Sequence, residues 1–140
     1  VIAYFDTSAL VKLVIDEPGT PDVISIWHQA STVASNRLIY AEGRAALAQA
    51  VRQGRVTADE MRASIPRFER LYGRFVLVEL DDVLVFRAGD LAEIHGLRGY
   101  DAVHLAAAER IRSSDRVLVS ADFALLRAAR AEGIKTSSIV

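Results

Sequence analysis

The chain contains no cysteine. Disulfides, iron–sulfur clusters, thiolate catalysis and cysteine-ligated zinc are thereby excluded, and a reducing compartment is compatible with the composition. Proline is scarce, with three residues in 140, while about half of the chain is hydrophobic. A disordered chain fits that composition poorly, and a single domain over residues 1–140 with an ordinary buried core is the simplest reading. No apolar run approaches the ~18 residues that a membrane span requires, and Val1 to Leu10 carries no basic leader. We therefore expect a soluble, cytoplasmic protein with no membrane association. Neither a G-x-G-x-x-G turn nor a P-loop lysine motif is present, so nucleotide binding of those kinds has no support. Repeats, low-complexity tracts and linkers are also missing.

Net charge is close to zero, at −1, but the basic residues are unevenly placed. Nearly all are arginines, and Arg44, Arg52, Arg55, Arg62, Arg67, Arg70 and Arg74 fall in one segment with few acids. Arginine suits planar, bidentate contact with phosphates, so this segment is a candidate rim for RNA or DNA. The same pattern also reads as a solvated helical face with salt bridges to Asp59, Glu60 and Glu69.

Strand-like runs at Ile2–Phe5, Thr32–Ser35, Phe75–Glu79, Val117–Val119 and Thr136–Val140 alternate with helical patterns. Such alternation predicts an α/β fold, an α/β/α sandwich around a mostly parallel sheet of about five strands. The helices are expected near Ser8–Asp16, Pro21–Ala30, Arg37–Gln53, Ala58–Tyr72, Val83–His95, Ala102–Arg112 and Phe123–Ala131. Pro18-Gly19, Gly54, Gly73, Gly96 and Gly133 punctuate them, and Thr57-Ala58-Asp59-Glu60 has the form of a capping box. Two helices stand between the second and third strands where one crossover would suffice. This helical hairpin is a plausible clip over the sheet edge or a dimerisation and partner surface, with Tyr40, Leu47, Met61, Ile65, Phe68, Leu71 and Tyr72 as its core.

Four carboxylates break the apolar patterning. Glu42 has Leu38, Ile39, Ala45 and Ala46 at helical neighbour positions, so it interrupts a buried stripe. A buried, ionised carboxylate must neutralise or acquire a cation, and a partner is expected. Asp6 ends the run Val1-Ile2-Ala3-Tyr4-Phe5, Asp122 ends Val117-Leu118-Val119-Ser120-Ala121, and Asp101 opens Ala102-Val103-His104-Leu105-Ala106-Ala107-Ala108. Each precedes a helical pattern, where Asp is a favoured N-cap, so capping accounts for any one of them without chemistry. It does not account for Glu42. Open α/β sheets also place their ligand sites at the carboxyl ends of strands, where Asp6 and Asp122 stand.

If the first and fourth strands are neighbours, the four acids converge. Oxygen-only ligands without Cys or paired His favour a hard cation, Mg2+ or Mn2+. Two such ions ~3.5–4 Å apart can activate a water and stabilise the leaving oxygen of a phosphodiester. Ser8 and Ser120 are placed to steady ligands or water. Lys12 and Arg44, beside the acids in sequence, are candidate phosphate contacts, with Lys12 equally able to pair with Asp16 four residues on. Arg98 has the same ambiguity. His104, one turn beyond Asp101, fits a packed or hydrogen-bonded core residue better than a general base.

The stretches Phe5-Asp6-Thr7-Ser8-Ala9-Leu10-Val11-Lys12-Leu13, Tyr40-Ala41-Glu42-Gly43-Arg44-Ala45-Ala46-Leu47, Leu97-Arg98-Gly99-Tyr100-Asp101-Ala102-Val103-His104-Leu105-Ala106 and Leu118-Val119-Ser120-Ala121-Asp122 together resemble the PIN domain. Within that family they are similar to the VapC-like toxins of type II toxin–antitoxin systems. Each motif is short, but their order and spacing span nearly the whole chain. The resemblance implies a metal-dependent endoribonuclease whose acidic ligands are Asp6, Glu42, Asp101 and Asp122. It implies a homodimer, an RNA substrate, and inhibition by a VapB-like antitoxin whose tail enters the acidic groove. Ser120 stands where the family often has Thr and keeps the hydroxyl.

Two rivals compete with this reading. A phosphotransfer protein fits badly, because Ser8 stands two residues past Asp6 where a second acid is needed. A non-catalytic module binding RNA or protein through the Arg-bearing hairpin, its acids serving as caps and ion pairs, is the stronger alternative.

Overall fold

Residues Ile2–Phe5 form the first strand, β1, whose side chains alternate between two cores: Ala3 and Phe5 enter one buried cluster and Tyr4 the other. A computed structural model describes all of residues 1–140. After β1 come α1 (Thr7–Val14), α2 (Thr20–Gln29), β2 (Thr32–Asn36), α3 (Ile39–Arg52), α4 (Ala58–Tyr72), β3 (Val76–Val78), α5 (Asp82–His95), α6 (Gly99–Arg110), β4 (Arg116–Ser120), α7 (Phe123–Ala131) and β5 (Lys135–Ser138). The five strands are all parallel, in the order β3-β2-β1-β4-β5.

Val33 and Val119 join Ala3 and Phe5 against α1 to α4, through Leu10, Leu13, Val23, Ile39, Leu47 and Phe68. Ala34 and Leu118 join Tyr4 on the opposite face, against Leu84, Leu91, Leu105, Leu125 and Leu126 of α5, α6 and α7. The result is the expected α/β/α sandwich. Burying such side chains contributes ~1.5–3 kcal/mol each against exposure, which makes these two layers the main source of stability.

The strand order fixes the position of the site. From β1 the chain steps outward through β2 to β3, then crosses back to place β4 on the other side of β1. The crevice between the carboxyl ends of β1 and β4 is therefore a topological switch point, the usual ligand position of an open parallel sheet. Phe5 is level with Val119, and the Asp6 amide donates to Val119 O at 3.2 Å, which brings Asp6 and Ser120 side by side.

Several element boundaries differ from the sequence reading. β2 extends to Asn36, β3 contains only Val76–Val78, and β4 and β5 each begin one residue earlier than expected. Most consequentially, α6 starts at Gly99, three residues before the expected start. Its N-cap is Arg98, with no side-chain cap bond, so Asp101 lies inside the first turn and does not cap the helix. Two-helix crossovers are also not special to the hairpin, since α1–α2 and α5–α6 repeat the arrangement. In the hairpin the capping box at Thr57 and Glu60 forms as expected, and the ring of Phe68 packs directly over Gly43.

Asp81 shows how the outer layer is tied together. It caps α5 through Leu84 N–H at 2.9 Å and receives both terminal nitrogens of Arg110 on α6, each at 2.9 Å. Those donors, Arg110 first and the Leu84 amide second, hold its carboxyl down at about 2. A depressed carboxyl stabilises the fold above its unfolded value near 3.8, and that contribution is lost as pH falls through about 2. Asp81→Asn keeps the cap but removes the ion pair. We expect the variant to melt below wild type at pH 6, with the two melting curves converging by pH 2, as followed by circular dichroism.

Candidate active site

Asp6 is the first residue past β1 and the N-cap of α1. Its Oδ1 accepts Ala9 N–H at 3.0 Å and the Ser8 hydroxyl at 2.6 Å, while Oδ2 accepts the Ser120 hydroxyl at 2.5 Å. Ser8 and Ser120 are themselves located by backbone amides: Ala121 N–H donates to Ser8 and Asp122 N–H to Ser120, at 3.0 and 2.9 Å. The capping and functional readings of Asp6 are therefore compatible. Only 4 % of the residue is exposed. That burial raises its carboxyl above the usual range, opposed by the charge of His104 and by the hydrogen bonds from Ser120, Ser8 and Ala9.

Asp122, just past β4, caps α7 through Oδ1 to Leu125 N–H at 2.9 Å and turns Oδ2 toward Arg98 Nη2 at 3.7 Å. Arg98 Nε donates to Asp101 Oδ2 at 3.2 Å. Burial raises the Asp101 carboxyl, and the negative charge of Asp122 raises it further, against the opposing pull of Arg98 and His104. Glu42 lies in the first turn of α3, beside the buried stripe Ile39, Gly43, Leu47 and Ala50. It flanks that stripe without interrupting it, because Ala45 on its other side is exposed. The partner expected for it is His104, whose Nε2 is 2.9 Å from Oε1.

These residues line one cavity of about 190 Å³: Asp6, Thr7, Ser8, Glu42, Arg98, Asp101, His104 and Asp122, with no apolar member. A hollow of about 440 Å³ at the opposite end of the sheet, lined by Val1, Asp115, Val117 and Lys135 among others, has no comparable convergence of acids. In the polar cavity four carboxylates face one guanidinium and one imidazole. No three of the carboxylate and histidine groups are grouped to hold an ion as they stand, because each acid is turned to a protein donor. The donor set nevertheless suits a hard divalent cation, being all oxygen and in charge excess. Arg98, 83 % exposed at its side chain, is free to swing aside.

A PIN-domain model matches residues 3–131 of the sequence. The chain belongs to the PIN-domain family. Ribonucleases VapC45 and VapC49 of Mycobacterium tuberculosis are each 37 % identical to it over 136 residues, covering 97 % of this chain and 94 % of theirs. Among solved structures, PAE2754 from Pyrobaculum aerophilum superposes with a TM-score of 0.71 at 26 % identity, over 97 % of this chain and 83 % of that one. VapBC2 from Rickettsia felis, solved with a promoter DNA fragment, gives a TM-score of 0.63 at 14 % identity, covering 99 % and 98 %, a likeness of fold.

Within this PIN fold, Asp6, Glu42, Asp101, Asp122, Ser8, Ser120 and Arg98 come together, and Lys12 and Arg44 do not. Lys12 is nearly buried and pairs with Glu17 at 3.5 Å. It misses Asp16 because α1 ends at Val14 and Ile15 is extended, so the four-residue spacing is lost. Arg44 folds back one turn, donating to the Tyr40 hydroxyl at 2.9 Å with its guanidinium 5.7 Å from that ring. The ion pairs expected in the hairpin do not form either. Glu60 is used in the capping box, Glu69 accepts the Tyr40 hydroxyl, and Arg62, Arg67, Arg70 and Arg74 are exposed without a carboxylate partner.

Three polar residues near the site escaped the sequence reading: Tyr4, Thr7 and Asn36. Asn36 is wholly buried at the carboxyl end of β2. The expected strand stops at Ser35, and only the pairing of β2 with β1 sets Asn36 beside Asp6.

Proposed function

We propose that this PIN-domain chain is a metal-dependent endoribonuclease, a VapC-like toxin acting in the cytoplasm as a single nuclease unit over residues 1–140. The observation carrying this is the convergence of Asp6, Glu42, Asp101 and Asp122 in one polar cavity at the switch point of the sheet. The identity to proteins named as ribonucleases supports the reaction class.

The four carboxylates would hold Mg2+ or Mn2+. Such an ion supplies positive charge at the scissile phosphate and makes an attacking water more acidic. The chain's own part is preorganisation. Ser8, Ser120 and the Ala9 amide hold Asp6 in one orientation. Asp122 is fixed by its capping bond and Asp101 by the first turn of α6. Arg98 neutralises Asp101 and Asp122 while the cavity is free and turns outward to an RNA phosphate when substrate arrives, a shift that an exposed guanidinium makes at little cost. The exposed, unpaired arginines of α4 extend that basic contact along the RNA backbone.

The same charge pattern suits a VapB-like antitoxin, whose cationic tail would take the place of Arg98 between Asp101 and Asp122. Val83, Phe86 and Ile94 lie on one face of α5 and are more than 60 % exposed, which supports a homodimer formed through that face.

Cleavage of a total-RNA pool with Mg2+, with Mn2+ and with excess EDTA tests the proposal. We expect defined cut ends with either metal, none in EDTA, and recovery when Mn2+ is returned in excess. Cleavage indifferent to EDTA, or absent throughout from folded, antitoxin-free protein, would leave a binding module built on the Arg-bearing hairpin as the better reading.

A further inference from the structure

We infer that His104 is a positioning residue for Glu42, with its donor nitrogen selected by Asn36 and Tyr4 behind it. The functional consequence rests on the nuclease reading above, but the hydrogen-bond assignment does not.

The assignment begins at a backbone amide. Leu38 N–H donates to Asn36 Oδ1 at 2.8 Å, which sets the orientation of the Asn36 amide. Its Nδ2 is therefore the atom facing Tyr4 Oη at 2.9 Å and His104 Nδ1 at 3.1 Å. An amide nitrogen only donates, so both must accept from it. The Tyr4 hydroxyl, having accepted, is free to donate, and it lies 2.9 Å from the same Nδ1. Burial pushes the Tyr4 phenol well up, so this proton stays in place. Nδ1 thus faces two donors, and the ring proton belongs on Nε2, directed at Glu42 Oε1 at 2.9 Å. Thr7 Oγ1, at 3.3 Å from Nε2, is the weaker contact.

Burial of the ring opposes its charged form, while the hydrogen bond and charge of Glu42, with Asp6 and Asp101, raise His104 on balance. A second proton would have to enter at Nδ1, against the Asn36 amide, which cannot turn without releasing Leu38. In either state Nε2–H is the donor to Glu42. Tyr4, Asn36 and His104 are each at most 1 % exposed, and no buried side-chain polar atom in the protein lacks a partner. A buried network satisfied this completely is rigid.

Glu42 needs that rigidity. Its long side chain lines the polar cavity from the first turn of α3, and His104 is its one protein hydrogen-bond partner, taking Oε1 and leaving Oε2 without one. With Nδ1 sealed and Nε2 carrying a proton, the histidine acts through the carboxylate and not on substrate. Partners of this kind typically change metal affinity 10–100-fold.

Two measurements test the inference. Long-range 1H–15N NMR of the wild-type protein reads the ring directly: a protonated Nε2 is expected, and an unprotonated Nε2 with Nδ1–H would overturn the assignment. Mn2+ affinity, followed by electron paramagnetic resonance, is expected to weaken about 10–100-fold in His104→Leu and to return substantially in His104→Gln, whose amide can donate in place of Nε2–H. Wild-type affinity in His104→Leu would overturn the positioning role. If the leucine variant does not fold, His104→Gln decides, since failure of this donor to support Mn2+ binding in a folded protein counts against the role. A wild-type protein that neither binds Mn2+ nor cleaves RNA would instead sink the nuclease reading, leaving the ring assignment to stand or fall by NMR.

Discussion

Asp6→Asn is expected to lower RNA cleavage by about a hundred- to a thousandfold, the scale on which one preorganised electrostatic group contributes to a transition state, while the protein melts close to wild type. Two terms oppose each other in stability. Asparagine removes a buried charge that burial already disfavours, as the raised carboxyl shows. It also places an amide N–H against Ser120 Oγ, which already accepts the Asp122 amide, so one hydroxyl must turn. A mismatch of that kind costs ~1 kcal/mol, comparable with the relief, and the melting temperature should move little. Matched cleavage assays and thermal melts separate the cases. Full activity in Asp6→Asn ends the carboxylate mechanism, and a collapse in melting temperature makes the variant uninformative about chemistry, in which case Asp122→Asn, whose side chain remains a good N-cap, supplies the decision.

The second large effect is expected on the other side of Glu42. A Cβ at Gly43 would penetrate the Phe68 ring, coming 2.7 Å from Cζ and closer still to Cε2. Helix propensity alone favours Gly43→Ala by ~0.5–1 kcal/mol. Overpacking of a filled core costs ~1–3 kcal/mol. Phe68 is fully buried with its ring 5.3 Å from that of Tyr40, so it has no room to yield and the clash should win. Gly43→Ala should therefore lose ~1–2 kcal/mol in urea unfolding. It should also cleave RNA poorly, because moving α3 away from α4 moves the adjacent Glu42. Adding Phe68→Leu should recover part of both losses. An alanine variant as stable as wild type would show that the α3–α4 contact is looser than described.

Much of the frame was legible from hydrophobic pattern. Runs such as Ile2–Phe5 and Val117–Val119 declare themselves by continuous apolar content, and parallel pairing followed from their alternation with helices. Asp6 and Asp122 stood out because strand ends are where charge first becomes tolerable. Asp101 was found for a partly mistaken reason: the apolar run begins after it, but the helix begins before it, since Gly99 and Tyr100 take helical conformation without contributing to the buried face. The failures concern side-chain direction. Lys12 and Arg44 neighbour acids in sequence, yet the end of α1 at Val14 and the ring of Tyr40 send them elsewhere. The Tyr4–Asn36–His104 chain was invisible because its members come from three elements that meet only in the folded sheet, and no local spacing encodes such a meeting.

The pairing of β1 with β4 also bears on how the protein is made. Ser120 and Asp6 touch across 114 positions of sequence, and neither half of the cavity exists without the other. A chain still being translated can complete the helices on one face of β1, but it cannot assemble the four carboxylates until β4 has emerged and docked. Contacts of such separation form late, because the loop they close is long. On the proposed mechanism, nascent or prematurely terminated chains would carry no cleaving activity, and an inhibitor would first be needed when β4 closes on β1.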